Sequence, residues 1–362
     1  MFELKNISKK VGDGYHIRDV SLRLEKGSLN VLLGPTLSGK TTLMRLMAGL
    51  DKPTEGDIIF NGESVLGVPV QKRNIAMVYQ QFINYPMMTV YENIASPMRI
   101  SGLNKADIDK KVRSAAELMK LGEFLDRTPL NLSGGQQQRT ALARALVKGA
   151  ELVLLDEPLA NLDYKLREEL RVELPRLFAE TGTVLVYATT EPHEALLLGG
   201  NTATLSEGRI TQFGKSISVH NNPVDLSTAQ IFSDPPMNML NVKKSNGDIE
   251  FEGEKATLPQ QLASLPDGNY KVGIRPHHIK LVKPSVDTLT VTAKIATTEI
   301  TGSESFIHIE KNNYQWVALT HGVHRVDIGE TVPIYLNPDD FFFFDGHDKL
   351  VASPARLQGA NN

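Results

Sequence analysis

Hydrophobic positions along the chain change period several times, and each change marks a different kind of element. From Met1 to Glu25 apolar and polar residues alternate around Gly12-Asp13-Gly14, the pattern of strands joined by a turn. Leu29 to Leu33 is a short continuous apolar run, which reads as a buried strand. Beyond it Leu43, Met44, Leu46, Met47 and Leu50 recur at the spacing of one helix face. Ile58 to Phe60 and Ile75 to Tyr79 are further short strands by the same reading. Between about Asn104 and Phe124 the period becomes helical, with Ile108, Val112, Ala115, Leu118, Met119 and Leu121 on one face. Leu152 to Leu155 is again a short apolar run, the mark of a strand buried on both faces, and Val184 to Ala188 predicts another strand.

After Phe232 helical periodicity stops. Asp234-Pro235-Pro236 reads as a linker. Tyr270 to Ile274, Leu289 to Ile295, Ser305 to Ile309, Gln315 to Leu319 and Val332 to Leu336 are short alternating runs split by Gly, Pro and Asn. These patterns predict an α/β domain over residues 1–235 with a helical insert, then an all-β domain over 236–362. The second is expected to be a small barrel of the oligonucleotide/oligosaccharide-binding (OB) type. Its run Phe341 to Phe344 predicts a core strand or a dimer contact.

The 362 residues suffice for two such domains. Lys plus Arg number 39 against 42 Asp plus Glu, and a net charge of -3 gives no electrostatic footprint for nucleic acid. With no cysteine, disulfides, zinc–thiolate clusters and thiol catalysis are excluded. Met-Phe-Glu-Leu-Lys-Asn lacks the regions of a signal peptide, and no apolar run approaches the ~20 residues that span a bilayer. A soluble, unexported chain is the expectation.

The chemistry gathers at three places. Gly34, Pro35, Thr36, Leu37, Ser38, Gly39, Lys40, Thr41 and Thr42 stand between the strand ending at Leu33 and the helix of Leu43. Strand, glycine loop and helix is the context in which G-x-x-x-x-G-K-[ST] cradles phosphates with inward N–H groups and a helix N-terminus. Lys40 is expected on the outer phosphates of a nucleoside triphosphate and the Thr41 hydroxyl on Mg²⁺. The second place is Leu132-Ser133-Gly134-Gly135-Gln136-Gln137-Gln138-Arg139, a Ser cap and two glycines opening a helix, and a second anion site. The third follows Leu152 to Leu155, where Asp156 is expected to hold Mg²⁺ and Glu157 to take a proton from an attacking water.

The order GPTLSGKTT, VYQQF, LSGGQQQR, LLDEP, NLD resembles the ATPase subunit of an ATP-binding cassette (ABC) transporter, over nearly the whole chain. It is similar in particular to the sugar-importer branch typified by the maltose importer. GPTLSGKTT and Thr-Thr-Glu-Pro look most like the glycerol importer ATPases. The resemblance implies that Gln80 touches Mg²⁺ and senses the membrane subunit. It implies that Ser133, Gly134 and Gly135, with Gln136 beside them, contact ATP held by a second cassette, and that Asn161 to Asp163 cross the dimer interface. Gly273-Ile274-Arg275-Pro276 resembles a motif of the accessory domain in the same branch, which stabilises the dimer.

Three departures from the family's pattern bear on function. Leu37 stands where a glycine is usual, and a side chain there is expected only if that position needs no positive φ. Val11 replaces the usual adenine-stacking aromatic, which leaves Tyr15 as the nearest ring for adenine. Thr190 stands in place of the switch histidine, while His193 is expected to face elsewhere in a helix that Pro192 begins. A site using Thr190 is expected to be slow, so a heterodimer with a histidine-bearing ATPase is favoured over a homodimer.

The reading is the ATPase subunit of an importer for a carbohydrate or polyol, with glycerol as one possibility, on the cytoplasmic face of the bacterial inner membrane. Its expected partners are membrane permease subunits, a second ATPase subunit and, indirectly, a solute-binding protein, with no nucleic acid. Tyr85, Met87, Met88, Tyr91 and Met98 suit a surface that receives a permease helix. A polyamine or metal importer ATPase is the alternative, and a cassette ATPase of DNA repair or translation is a more distant one.

Overall fold

The computed structural model describes residues 1–160, 162–354 and 357, the side chain of residue 180 excepted. The chain divides into two compact units, residues 1–216 and 217–362. In the first, β1 (Phe2–Val11) and β2 (Gly14–Leu24) pair antiparallel across the turn at Gly12. There follow β3 (Leu29–Leu33), α1 (Lys40–Ala48), β4 (Glu55–Phe60) and β5 (Glu63–Ser64). The order β2-β1-β4-β5 makes one four-stranded sheet. The chain continues with β6 (Ile75–Val78), α2 (Val90–Ile100), α3 (Lys105–Leu118) and α4 (Gly134–Val147). Then come β7 (Leu152–Asp156), α5 (Tyr164–Thr181), β8 (Val184–Thr189), α6 (Pro192–Leu198), β9 (Asn201–Ser206) and β10 (Arg209–Lys215).

The second sheet has the order β10-β9-β3-β8-β7-β6, parallel throughout except for β10 against β9. Every residue of β7 and β8 is buried, which is why those strands read as apolar runs without alternation. α1 turns Leu43, Met44, Leu46 and Met47 into a core shared with Phe2, Leu4, Leu154 and Val186. Leu50, expected on that same face, lies beyond the helix, because Gly49 takes a left-handed φ of 77° and caps it. In the helical insert, Ile108, Val112, Ala115, Met119 and Leu121 are buried as the period required, and Leu118 is half-buried. Loops after β3, β7 and β8 all leave the carboxyl ends of parallel strands, the usual location of a ligand site in an open α/β sheet.

α7 (Ser216–Asn221) and α8 (Leu226–Ile231) come next in the chain. The second unit starts before the composition shift near residue 235 because Leu226 and Ala229 pack with Met237, Phe342 and Phe344. Its further elements begin with β11 (Asn238–Ser245), β12 (Asp248–Phe251), β13 (Glu254–Thr257), α9 (Gln260–Ala263), β14 (Gly268–Ile274) and β15 (Ile279–Lys280). They end with β16 (Leu289–Ile300), β17 (Glu304–Lys311), β18 (Tyr314–His321), β19 (Thr331–Leu336), β20 (Phe342–Phe344) and β21 (Leu350–Ala352). Two antiparallel sheets, β13-β12-β11-β14-β20-β21 and β15-β19-β16-β17-β18, enclose one apolar core in a barrel-like arrangement. Phe341 to Phe344 are fully buried, so the run is a core strand.

Candidate active site

Gly34 opens the loop after β3, and nothing larger fits there. A Cβ would stand 2.4 Å from the Leu205 carbonyl oxygen. Gly39 closes the loop at φ 107°, where a Cβ would approach the His16 carbonyl oxygen to 2.9 Å. Between them Leu37 adopts φ 68° with its side chain 97% exposed. The condition attached to a leucine at this position is therefore not met: the loop does require a positive φ. For an L-residue the left-handed region costs ~1–2 kcal/mol, so this turn is strained. Ser38 is buried, and its hydroxyl finds no partner among the described residues.

Lys40, 6% exposed, donates to the carbonyls of Gly34 at 2.8 Å and Pro35 at 3.0 Å. Burial lowers its pKa, against the opposing pull of Glu157 and Asp156. The next residue, Thr41, donates its hydroxyl to Asp156 Oδ2 at 2.7 Å. Asp156 ends β7 and is 2% exposed, and burial raises its pKa despite Thr41 and Lys40. Gln80 donates its amide to Glu157 Oε2 at 2.8 Å. Burial also raises the Glu157 carboxyl; Lys40 opposes this, while Asp156, Glu194 and Glu191 reinforce it. Glu157 has φ 47°, and its N–H donates to the Ala188 carbonyl on β8 at 3.0 Å. A glutamate held in so sparsely populated a conformation is overdetermined by its surroundings, as residues at reaction centres often are.

A cavity of about 600 Å³ joins these groups. Thr36, Leu37, Gly39, Lys40, Thr41 and Thr42 line it from the loop, Gln80 and Glu157 from the acidic side, and Thr190 from the turn after β8. Tyr15 lines it too, with the Arg18 guanidinium 5.6 Å from its ring centroid. Three lining residues lay outside the sequence reading: His16, Glu207 and Gly208. Glu207 and Gly208 form the β9–β10 turn. Its Glu-Gly pair signals a turn but not where the turn points. His193 is an exposed helix residue, since Pro192 does begin α6, and it does not line the cavity.

Ser133, Gly134, Gly135 and Gln136 stand apart from this cavity. Ser133 caps α4 by accepting the Gln136 N–H at 3.3 Å, and the Gln136 side chain accepts the Ser133 N–H at 2.8 Å. Ser133 and Gly134 are exposed. Asp163 caps α5 by accepting the Leu166 N–H, whereas Asn161 lies outside the described residues. A second cavity, about 650 Å³, opens beside α2 and α4. Met77, Tyr85, Ser96, Ile100, Arg144 and Lys148 line it, and Arg144 stands over the Tyr85 ring. Met87 and Met88 are exposed, but Met98 is buried, so of the proposed receiving surface Met98 is core.

The ABC transporter family model matches residues 17–160, and the TOBE domain model matches residues 272–344. The sn-glycerol-3-phosphate import ATP-binding protein UgpC of Vibrio vulnificus (strain YJ016) is 33% identical over 98% of this chain and 96% of its own length. The trehalose/maltose import ATP-binding protein MalK of Thermococcus litoralis is 35% identical over 94% of this chain and 96% of that protein. Among solved structures, the dimeric post-hydrolysis state of the ATP-binding cassette MJ0796 with ADP and Pi is similar, with a TM-score of 0.56 and 30% identity. That match covers 60% of this chain and 99% of the cassette. With relatives 33% and 35% identical over nearly its whole length, the chain belongs to the ABC transporter family, as an ATP-binding subunit.

Proposed function

We propose that this chain hydrolyses ATP to drive uptake of a carbohydrate or polyol, glycerol or its phosphate ester among them, through permease subunits at the cytoplasmic face of the membrane. The observation that carries the reading is one cavity lined by Lys40, by Thr41, whose hydroxyl donates to Asp156, and by the Gln80–Glu157 pair. Likeness to import ATP-binding proteins over nearly the full length supports the transport role.

Lys40 already points into the loop, so exchanging two carbonyl partners for phosphate oxygens needs little more than a side-chain swing. Magnesium fits the donors present: a hydroxyl, an amide oxygen and one carboxylate from Thr41, Gln80 and Asp156, with phosphates to supply other ligands. The buried, unpartnered Ser38 hydroxyl favours a polar ligand at the loop as well. When bound, Mg²⁺ offsets charge on the outer phosphates. Glu157 is the general base, and its raised pKa brings its basicity nearer to neutral pH, where proton transfer is most effective.

Ser133 to Gln136 lie away from the cavity of their own chain, which supports a composite site in which a second cassette supplies them. The cleft lined by Tyr85, Ile100, Arg144 and Lys148 is the proposed seat of a permease helix. Among the described residues no helix is long and apolar enough to cross a membrane, which agrees with peripheral attachment through that cleft. A solute-binding protein is an indirect partner. The test is Glu157→Gln. ATP-analogue affinity should stay within about twofold, while hydrolysis falls by ~10²–10⁴. Hydrolysis at the parent rate removes Glu157 from the reaction.

A further inference from the structure

Beneath the turn that carries Thr190 lies a charged cluster the reaction described above does not use. Glu194, on α6, is buried, and so is Arg171, which reaches it from α5 with Nη2 3.3 Å from Glu194 Oε1. The second arm of the Arg171 guanidinium donates to Glu168. The other Glu194 oxygen, Oε2, accepts two hydroxyls of β8: Tyr187 at 3.0 Å and Thr189 at 2.7 Å. Thr189 Oγ1 in turn accepts the Glu191 N–H at 3.0 Å. Residues 189 and 191 are thereby clamped on both sides of Thr190, the residue that faces the cavity.

The same short segment holds the rest of the reaction centre. The Thr189 carbonyl accepts the Gly34 N–H at 3.4 Å, at the start of the phosphate loop. The preceding carbonyl, of Ala188, accepts the N–H of Glu157. Two consecutive residues of β8 therefore touch the phosphate loop, the general base and the turn of Thr190. A buried ion pair is a poor stabiliser, since apolar side chains of similar size are often as stable or more so. What a polar cluster supplies when most of its groups are bonded, as here where only Arg171 Nε finds no partner among the described residues, is a single geometry.

We infer that Glu194 is a positioning residue for ATP hydrolysis: anchored by Arg171, its carboxylate holds the Thr189 hydroxyl and through it the turn that presents Thr190. The inference rests on the ATPase reading, and analogue binding together with parent hydrolysis tests that reading separately. Burial and the Glu194 carboxylate hold the Tyr187 hydroxyl well above its usual pKa, so it stays protonated and donates to Glu194 without a bond to the turn.

The experiment compares three variants of the full chain for ATP-analogue affinity, KM, kcat and Tm. Thr189→Val keeps shape and strand preference but removes the link. It should lower kcat about tenfold with affinity within twofold, as for a small displacement of a catalytic group. Glu194→Gln should lower kcat to a similar extent, and the two together should be no worse than either alone. Tyr187→Phe removes a bond to the same carboxylate without touching Thr189, and its kcat should stay within twofold of the parent. A Thr189→Val chain that turns over at the parent rate overturns the inference, whatever its Tm. So does a Tyr187→Phe chain that loses kcat equally, because the cluster would then act only through general stability.

Discussion

Two groups of residues line the nucleotide cavity, and they are built in different ways. Lys40, Thr41, Gln80 and Glu157 bond to one another, to the loop or, for Thr41, to the buried Asp156, all within 3.0 Å. Lys40 and Asp156 are nearly inaccessible, so their charges are felt through little water. Tyr15, His16 and Glu207 are exposed residues at the start of β2 and in the β9–β10 turn. Among them the one charge–ring contact is Arg18 over Tyr15, within a single strand. On the reading proposed above, the first group would take the phosphates and the proton, and the second would offer surface for the rest of the nucleotide. Binding strength should therefore be concentrated in the first group, and substitutions should cost accordingly.

Lys40→Ala is the sharpest test. Losing a charge-assisted contact to phosphate should weaken ATP-analogue binding by about a hundredfold. Unchanged affinity by calorimetry would remove the phosphate loop from the nucleotide site. Thr190→His acts in the opposite direction, because Thr190 reaches the cavity with a single short hydroxyl. A positioned imidazole at the developing phosphate charge should raise hydrolysis by the chain alone about tenfold or more. A second, histidine-bearing cassette subunit should co-purify with the permease complex. Two copies of this chain working at a normal importer rate would contradict the heterodimer.

The difference between the two groups also explains what could be read from the sequence. The phosphate loop, Ser133-Gly134-Gly135 and Asp156-Glu157 are each contiguous, and the first and last sit where apolar runs end, so pattern and chemistry point to the same place. His16 and Glu207-Gly208 carry no such pattern, since only the pairing of distant strands brings them to the cavity. The Thr189–Glu194–Arg171 cluster joins α5, β8 and α6 and is equally invisible along the chain. In the second unit, β16 to β19 appeared as alternating runs, but β11 did not. Its inward positions include Lys244, which is buried and paired with Asp267, so a charge interrupts the apolar alternation. β12 and β13 have four residues each and are rich in acids and lysine, too short and polar to stand out.

Tyr15→Ala probes the weaker group. Stacking of a base on an exposed ring is worth ~1–3 kcal/mol, and Arg18 already occupies part of this ring, so a loss of about fivefold in ATP affinity is expected. Affinity for inorganic triphosphate should not change. An equal loss for both ligands would mean that Tyr15 supports the loop instead of receiving adenine.

The smallest effect is expected at Leu37, a strained position in the loop that carries Lys40 and Thr41. Its φ of 68° costs an L-residue ~1–2 kcal/mol, while its side chain, almost entirely exposed, gains nothing from burial. Glycine adopts this conformation freely but gives the unfolded chain more freedom, which offsets about 0.5–1 kcal/mol of the relief. Leu37→Gly should therefore stabilise the chain by no more than about 1.5 kcal/mol, a rise of at most roughly 3–6 °C in the melting of a unit this size. Alanine keeps the Cβ that makes the conformation costly, so Leu37→Ala should melt with the parent. If alanine and glycine stabilise equally, the gain comes from removing an exposed apolar side chain, and the loop is not strained. If only glycine does, the loop keeps its phosphate-binding turn despite a residue that resists it.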